Sequence, residues 1–397
     1  MKRATPFLAA FLLAAACAHR PPVPPPEAPA QPGAPLSPAP PQPPAAPMPP
    51  SPPQPPATGE AASPLAQAPI TFAAVGDVML GSAFPDEAGL PPDDGARLLE
   101  EVGPILRAAD VAFGNLEGPL VDAGTSEKCA RSKPGRCYAF RVPTRYGRYL
   151  AEAGFDVMSL ANNHAGDFGE EGRASTRAVL GALGIRFAGA PGEVAHLEVR
   201  GTRIALVAFS TSSATNDLRD VDEGVRVVKA AREGADLVVV SFHGGAEGAD
   251  RQHVPPAGEE FLGEDRGDPR AFAHAVIDAG AHLVLGHGPH VIRGLELYRG
   301  RLVAYSLGNF ATYGRFNLAG PNGLSLVLEV RLAPDGTFLG GRIHPARQEK
   351  PGGPHLDPAG AAIPVVRRLS DEDFGAAAVS VSDDGALSAP LPAVSAR

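Results

Sequence analysis

Five short stretches of this 397-residue chain place acids, carboxamides and imidazoles directly after apolar runs. They are Gly76-Asp77-Val78-Met79-Leu80, Asn115-Leu116-Glu117-Gly118, Ala161-Asn162-Asn163-His164, His243-Gly244-Gly245-Ala246-Glu247 and His287-Gly288-Pro289-His290. Carboxylate, amide and imidazole groups together suit zinc or another divalent transition metal. Each stretch alone also has an ordinary structural explanation. Asp77 is a good cap for a turn or helix, Asn162 and Asn163 satisfy turn backbone groups, and the glycines permit tight turns. What argues for a shared site is that all five occur at the same kind of place. His253, His274 and His355 fall elsewhere and are expected to face solvent. No Gly-x-Ser-x-Gly elbow, Walker loop or dinucleotide fingerprint is present.

The elements that must position these groups are short runs of Val, Leu, Ile and Ala. They are Ile70–Val75, Val111–Gly114, Val157–Leu160, Ile204–Ser210, Leu237–Phe242, His282–Gly286 and Leu302–Ser306. They lack clean alternation, as strands covered on both faces do. Helical patterns lie between them at Ala96–Ala109, Thr144–Ala153, Gly172–Leu183, Gly224–Glu233 and Pro269–Ala279. Alternating strands and helices mean an α/β fold, in which ligands bind at the carboxyl ends of strands. Gly323–Ala346 alternates around Pro334-Asp335-Gly336 and reads as a β-hairpin, so the sheets are mixed. The globular domain is expected over 70–350. Residues 351–397 read as a loosely ordered tail with one short strand near Val365.

The first 17 residues read as a signal peptide, charged at Lys2 and Arg3 and apolar from Phe7 to Ala16. The sequence Leu13-Ala14-Ala15-Ala16-Cys17 resembles a lipoprotein box, so lipidation of Cys17 is expected; an ordinary cleaved signal is the alternative. Residues 18–69 form a linker, with 20 of the 44 prolines between Pro21 and Pro56, extended and unable to build a core. The expected location is therefore the bacterial cell envelope, periplasmic or extracellular, with the membrane as partner through the anchor. In an oxidising compartment Cys129 and Cys137 would form a disulfide, closing a loop that carries Arg131, Lys133 and Arg136. The net charge of −9 and the absence of a long basic run argue against a nucleic-acid partner.

The order of the motifs resembles the calcineurin-like metallophosphatase superfamily. With Tyr305-Ser306-Leu307-Gly308-Asn309-Phe310 added, it more closely resembles the bacterial capsule-synthesis family of CapA type, linked to poly-γ-glutamate capsule production. The resemblance covers about residues 70–315. It implies a four-layer αββα sandwich of two facing mixed sheets with helices outside. It also implies one or two divalent metal ions (manganese, iron or zinc) held by Asp77, Asn115 or Glu117, Asn163, His243, and His287 or His290. His164 would act on the phosphate or leaving group. Asp167 would orient His164 or cap a helix. Three features depart from the superfamily pattern: Met79 stands where a histidine is usual, Asn115 where an acid bridges, and Gly288-Pro289 separates two histidines usually one residue apart. Two functions are therefore expected. One is a membrane-tethered hydrolase of phosphoesters acting in capsule biosynthesis. The other is a non-catalytic component that binds an anionic surface polymer within the capsule machinery.

Overall fold

The computed structural model describes residues 68–128 and 137–390. Contacts divide the chain into Met1–Thr58 and Gly59–Arg397, and every described residue belongs to the second unit. The expected signal peptide, Cys17, nearly all of the linker and Cys129 lie outside the described residues. Cys137 is disulfide-bonded.

The first sheet is built on β1 (Ile70–Met79), β2 (Val111–Leu116) and β3 (Val157–Ser159), in parallel register. The second is built on β4 (Thr202–Ser210), β5 (Leu237–His243) and β6 (Leu283–His287), also parallel. A short strand, β7 (Asn309–Thr312), joins the carboxyl end of β1. The hairpin β8 (Leu324–Leu332) and β9 (Phe338–Gln348) then runs antiparallel against the start of β1. Both sheets are mixed, with ten and seven strands.

The sequence lacks alternation because both faces of these strands are apolar for different reasons. In β1, Phe72 and Ala74 face the interior between the sheets, while Ala73 and Val75 face helices. In β4, Ile204, Leu206 and Ala208 meet that same interior; Ala205, Val207 and Phe209 pack outward. The outer layers are α1 (Gly103–Ala108), α2 (Gly147–Ala153) and α3 (Gly169–Ala182) on the first sheet, and α4 (Val221–Glu233) and α5 (Pro269–Asp278) on the second. The αββα arrangement is the one expected. Asp220 and Asp268 cap α4 and α5, each accepting a backbone N–H three residues on.

Three expectations need correction. The helix expected over Ala96–Ala109 exists only at Gly103–Ala108, because Pro104 fits a first turn but not a helix interior. His274 does not face solvent freely: its ring stacks on Tyr298 at 3.8 Å and bonds the buried Glu296. The tail is not loose. Pro354–Leu356 pairs with β9, and α6 (Ala362–Phe374) buries Ile363, Val366, Leu369 and Phe374. Two further short strands follow, so the domain continues to Ser388.

His282, at the start of β6, gives the fold a pH dependence. The Val238 N–H donates to its Nδ1 at 2.9 Å, so that nitrogen must be unprotonated. Burial, then the charges of Arg301 and Arg232, lower its pKa to about 4. The unfolded chain takes up the proton from about pH 6.5 downward and the folded chain does not. Stability contributed by neutral His282 is therefore complete above pH 6.5 and lost as pH falls to 4, by about 3 kcal/mol at most. Unfolding free energies of His282→Asn should lack this component; identical pH profiles for the two proteins would refute it.

Candidate metal centre

Parallel pairing brings the polar strand ends to one edge. Asp77 lies opposite Asn115 on β2, and His243 opposite His287. Gly76 has to be glycine because a Cβ there would lie 1.9 Å from the Gly308 carbonyl oxygen. That carbonyl accepts the Asp77 N–H, and at this point the register of β1 shifts, a bulge of the kind that aims a side chain. Gly288, at φ +116°, lets the turn after β6 press against Gly244 and delivers His290.

Asp77, Glu117 and His290 offer donor atoms that all lie within 4.8 Å of one another, the one such group of three among the described residues. Asp77 Oδ2 is 3.0 Å from His290 Nδ1, and Asp77 Oδ1 is 3.4 Å from His287 Nδ1. Glu117 Oε1 is the hub: His290 Nε2, His243 Nε2 and His164 Nε2 stand 3.6, 3.7 and 4.0 Å away. The three Glu117 separations exceed hydrogen-bonding range. They are the spacing of donors that share one cation, since two ligands at about 2.1 Å in tetrahedral geometry lie roughly 3.4 Å apart. Both Glu117 oxygens, His243 Nε2, both His287 nitrogens and Asn163 Oδ1 are buried without hydrogen-bond partners. So many orphaned donors in one place fit a divalent metal ion.

The electrostatics carry the same message. Burial pushes the Glu117 carboxyl well up, helped by the charges of Asp77 and Glu247. Burial also opposes ionisation of Asp77, but His287 and His290 overcome it and hold that carboxyl low. Burial alone would lower His290; attraction to Glu117 and its bond to Asp77 instead raise it to about 10. Two buried carboxylates side by side thus favour a positive charge beside them.

The structure brings Asn163, His164 and Asp167 to the rim. Asn163 Nδ2 is 3.5 Å from Glu247 Oε1. His164 Nδ1 is 2.7 Å from Asp167 Oδ2, and its ring stacks on Phe140 at 4.2 Å. Burial lowers the His164 pKa, Lys128 adds to this, and Asp167 opposes it. Asp167 caps no helix here; it accepts from the Phe140 N–H and from Lys128. Asn115 is brought in, but its amide is committed: Nδ2 donates to Asp77 Oδ1, and Oδ1 accepts from Asn162. Met79 belongs to the core between sheet and helices.

A family model described as "Bacterial capsule synthesis protein PGA_cap" matches residues 71–313. The chain belongs to the bacterial capsule synthesis protein family. It is 27% identical over 262 residues to the capsule biosynthesis protein CapA of Bacillus anthracis, covering 61% of this chain and 59% of that protein. It is 28% identical over 254 residues to the PGA biosynthesis protein CapA of Bacillus subtilis, covering 59% and 61%. The chain thus spans about three-fifths of the length of these curated relatives. Among solved structures, the 5'-nucleotidase precursor of Thermus thermophilus aligns with TM-score 0.38 and 11% identity, covering 70% of this chain and 54% of that one.

Within this capsule synthesis domain, sequence reasoning left three site residues unassigned. Glu247, four residues past His243, returns across a Gly-Gly turn; its Oε2 is 3.9 Å from His290 Nε2 and its Oε1 is 3.1 Å from the buried Arg266. Its acid type beside His243 was a usable signal. Lys128 bridges Asp167 (2.7 Å) and the Asn163 carbonyl (2.8 Å), and nothing in its sequence surroundings marks it. Asn322 acts on His290, whose φ of +57° is unfavourable for a side-chain-bearing residue. The His290 carbonyl accepts from Asn322 Nδ2 at 3.1 Å and from Asn309 Nδ2 at 3.2 Å. This pair of amides fixes the turn that aims the imidazole. Asn322→Ala should lower affinity for Mn²⁺ roughly tenfold with the fold intact; calorimetry showing unchanged affinity would remove this role.

Proposed function

We propose that this chain acts in biosynthesis of a cell-surface polymer of poly-γ-glutamate type, as a metal-dependent phosphoester hydrolase exported and tethered through Cys17. Its partners are then the membrane, the anionic polymer and the capsule synthesis machinery, and no nucleic acid. The family assignment supports the biosynthetic role. The signal-like start and the proline-rich segment support the tether. The observation that carries the hydrolytic reading is Glu117, a fully buried carboxylate with both oxygens unpaired and three imidazoles around it.

Asp77, Glu117 and His290 would hold the metal, with His243, His287 and Asn163 completing the set. A bound divalent ion supplies an activated water and stabilises negative charge on phosphorus. The chain's own residues supply the rest. Asp167 fixes the His164 tautomer by accepting from Nδ1, which leaves the unprotonated Nε2 facing the centre, where it can take a proton from the attacking water and pass it to the departing oxygen. Lys128 holds Asp167 in place. Phe140, stacked on both His164 and Phe316, shields this side from water.

The neutral Asn115, fully engaged with Asp77 and Asn162, favours a second reading in which the site binds polymer without cutting it. The deciding measurement is Mn²⁺ content together with hydrolysis of bis(p-nitrophenyl) phosphate. His164→Ala should retain metal and lose roughly 10²- to 10⁴-fold in rate. Metal binding with no hydrolysis by the unaltered protein selects the second reading, and absence of metal defeats the first.

A further inference from the structure

We propose that the recess beside His164 is a subsite for a carboxylate carried on the substrate, held by Arg173 and Arg177. This rests on the reading that substrate reacts at the Asp77–Glu117–His290 centre. The recess lies on the same edge of the sheets as that centre, displaced toward the strand Arg186–Ala188. His164 is the wall the two share, and Leu160, Gly189, Ala190 and Ala214 line the recess. Its room of about 30 Å³ is roughly twice what one water requires, enough for the two oxygens of a carboxylate.

Helix α3 presents Arg173 and Arg177 one turn apart, and both residues line this recess. Forked N–H donors match a carboxylate in geometry and charge. Each arginine already has a partner, and the partners differ. Arg173 is bonded at 2.7 Å to Glu170, whose side chain is 74% exposed. An ion pair of that kind contributes little in water and gives way readily to another anion. Arg177 pairs at 3.2 Å with Glu193, which is half-buried and also accepts the Ala190 N–H at 3.0 Å. Arg177 is therefore the fixed side of the subsite and Arg173 the adjustable one. The Thr176 hydroxyl between them is occupied by the Leu120 N–H and the Gly172 carbonyl, so recognition falls to the arginines.

Charge selects the occupant. The chain carries a net −9, and the centre adds the clustered carboxylates of Asp77, Glu117 and Glu247. A polyanion needs a local positive contact to approach such a site. An acidic polymer offers a carboxylate at every residue, so one can enter the recess while the chain lies across His164.

The test uses the full chain, a short γ-linked glutamate oligomer as probe, and the γ-linked glutamine oligomer as neutral control, with Mn²⁺ binding measured separately. Arg173→Gln should weaken oligomer binding roughly tenfold, and Arg173→Gln/Arg177→Gln further. Glu170→Gln, which removes the competitor and leaves the recess intact, should tighten it. The glutamine oligomer should bind weakly throughout, and Mn²⁺ affinity should be the same in all variants. Equal oligomer binding by the double variant and the unaltered protein overturns the subsite. So does failure of the unaltered protein to bind the oligomer, or weaker binding by Glu170→Gln. Arginine-dependent oligomer binding in a protein that takes up no Mn²⁺ upholds the subsite and refutes the metal reading. Retained metal-dependent hydrolysis with no arginine effect does the reverse.

Discussion

Glu117→Gln lowers affinity for a divalent ion by roughly a hundredfold or more, the upper end of what even indirect ligand changes cost, and leaves the metal-free protein as stable as before or more so. The two halves of this expectation come from the same geometry. Glu117 Oε1 lies within 4.0 Å of three imidazoles, so replacing it by an amide removes the central anionic donor. Yet in the metal-free chain that carboxylate is fully buried with no hydrogen-bond partner on either oxygen. Burying that group costs folding energy, whether it stays an unpaired charge or takes up a proton instead, and glutamine has the same shape without the charge. Calorimetric titration with Mn²⁺ and thermal unfolding with chelator read the two effects separately. Unchanged metal affinity would show that Glu117 is not a ligand. A large drop in metal-free stability would show that it has a structural partner instead.

The site was legible where local sequence decides it and illegible where pairing does. Short apolar runs ending in Asp77, Asn163-His164, His243 and His287 point to the edge where the strands finish: His243 and His287 close β5 and β6, Asn163 and His164 follow β3, and Asp77 lies two residues before the end of β1. Which of Asn115 and Glu117 reaches the metal could not be read, since both follow the same run two residues apart. Pairing separates the two: Asn115 is still within β2 opposite Asp77, where its amide bonds its neighbours, while Glu117 lies past the strand end with both oxygens unpartnered. Lys128 and Asn322 come from loops distant in sequence, so no periodicity announces them. Asp167 left two roles open, and only the Phe140 N–H and the Lys128 ammonium, both contributed by another segment, show it bracing His164.

The misread tail shows the opposite case, in which the signal was present and composition concealed it. Ile363, Val366, Leu369 and Phe374 recur at helical spacing, but the surrounding Pro, Ala, Ser and Asp suggested an extended segment. Pro364 lies in the first turn of α6, where proline is tolerated. The same spacing on β1 or β4 would be unreadable, since apolar residues fill both faces there. In α6 the helix has one buried face, and the polar face carries Arg368 and Glu372 as an i,i+4 pair.

Ending the chain at Gly360 therefore removes part of the core, and the expected result is a protein that no longer folds cooperatively. Ile363 and Val366 enter the interior between the sheets, and Phe374 stacks on Tyr305 at 5.0 Å over the second sheet's outer face. Ser370 Oγ accepts the Leu295 N–H at 2.8 Å, and Asp373 accepts the Val254 N–H at 2.9 Å. Burying each large apolar side chain contributes about 1.5–3 kcal/mol. The four of α6 together approach the 5–15 kcal/mol that keeps a typical domain folded. Truncation also leaves the Leu295 and Val254 donors without acceptors. A single change, Phe374→Ala, should cost about 3–5 kcal/mol and preserve the native state, so the helix can be tested without losing the protein. Denaturant unfolding of both variants measures this. A truncated chain with an unchanged midpoint would mean that α6 only rests on the surface, and Phe374→Ala within about 1 kcal/mol of the parent would mean the same for its stacked ring.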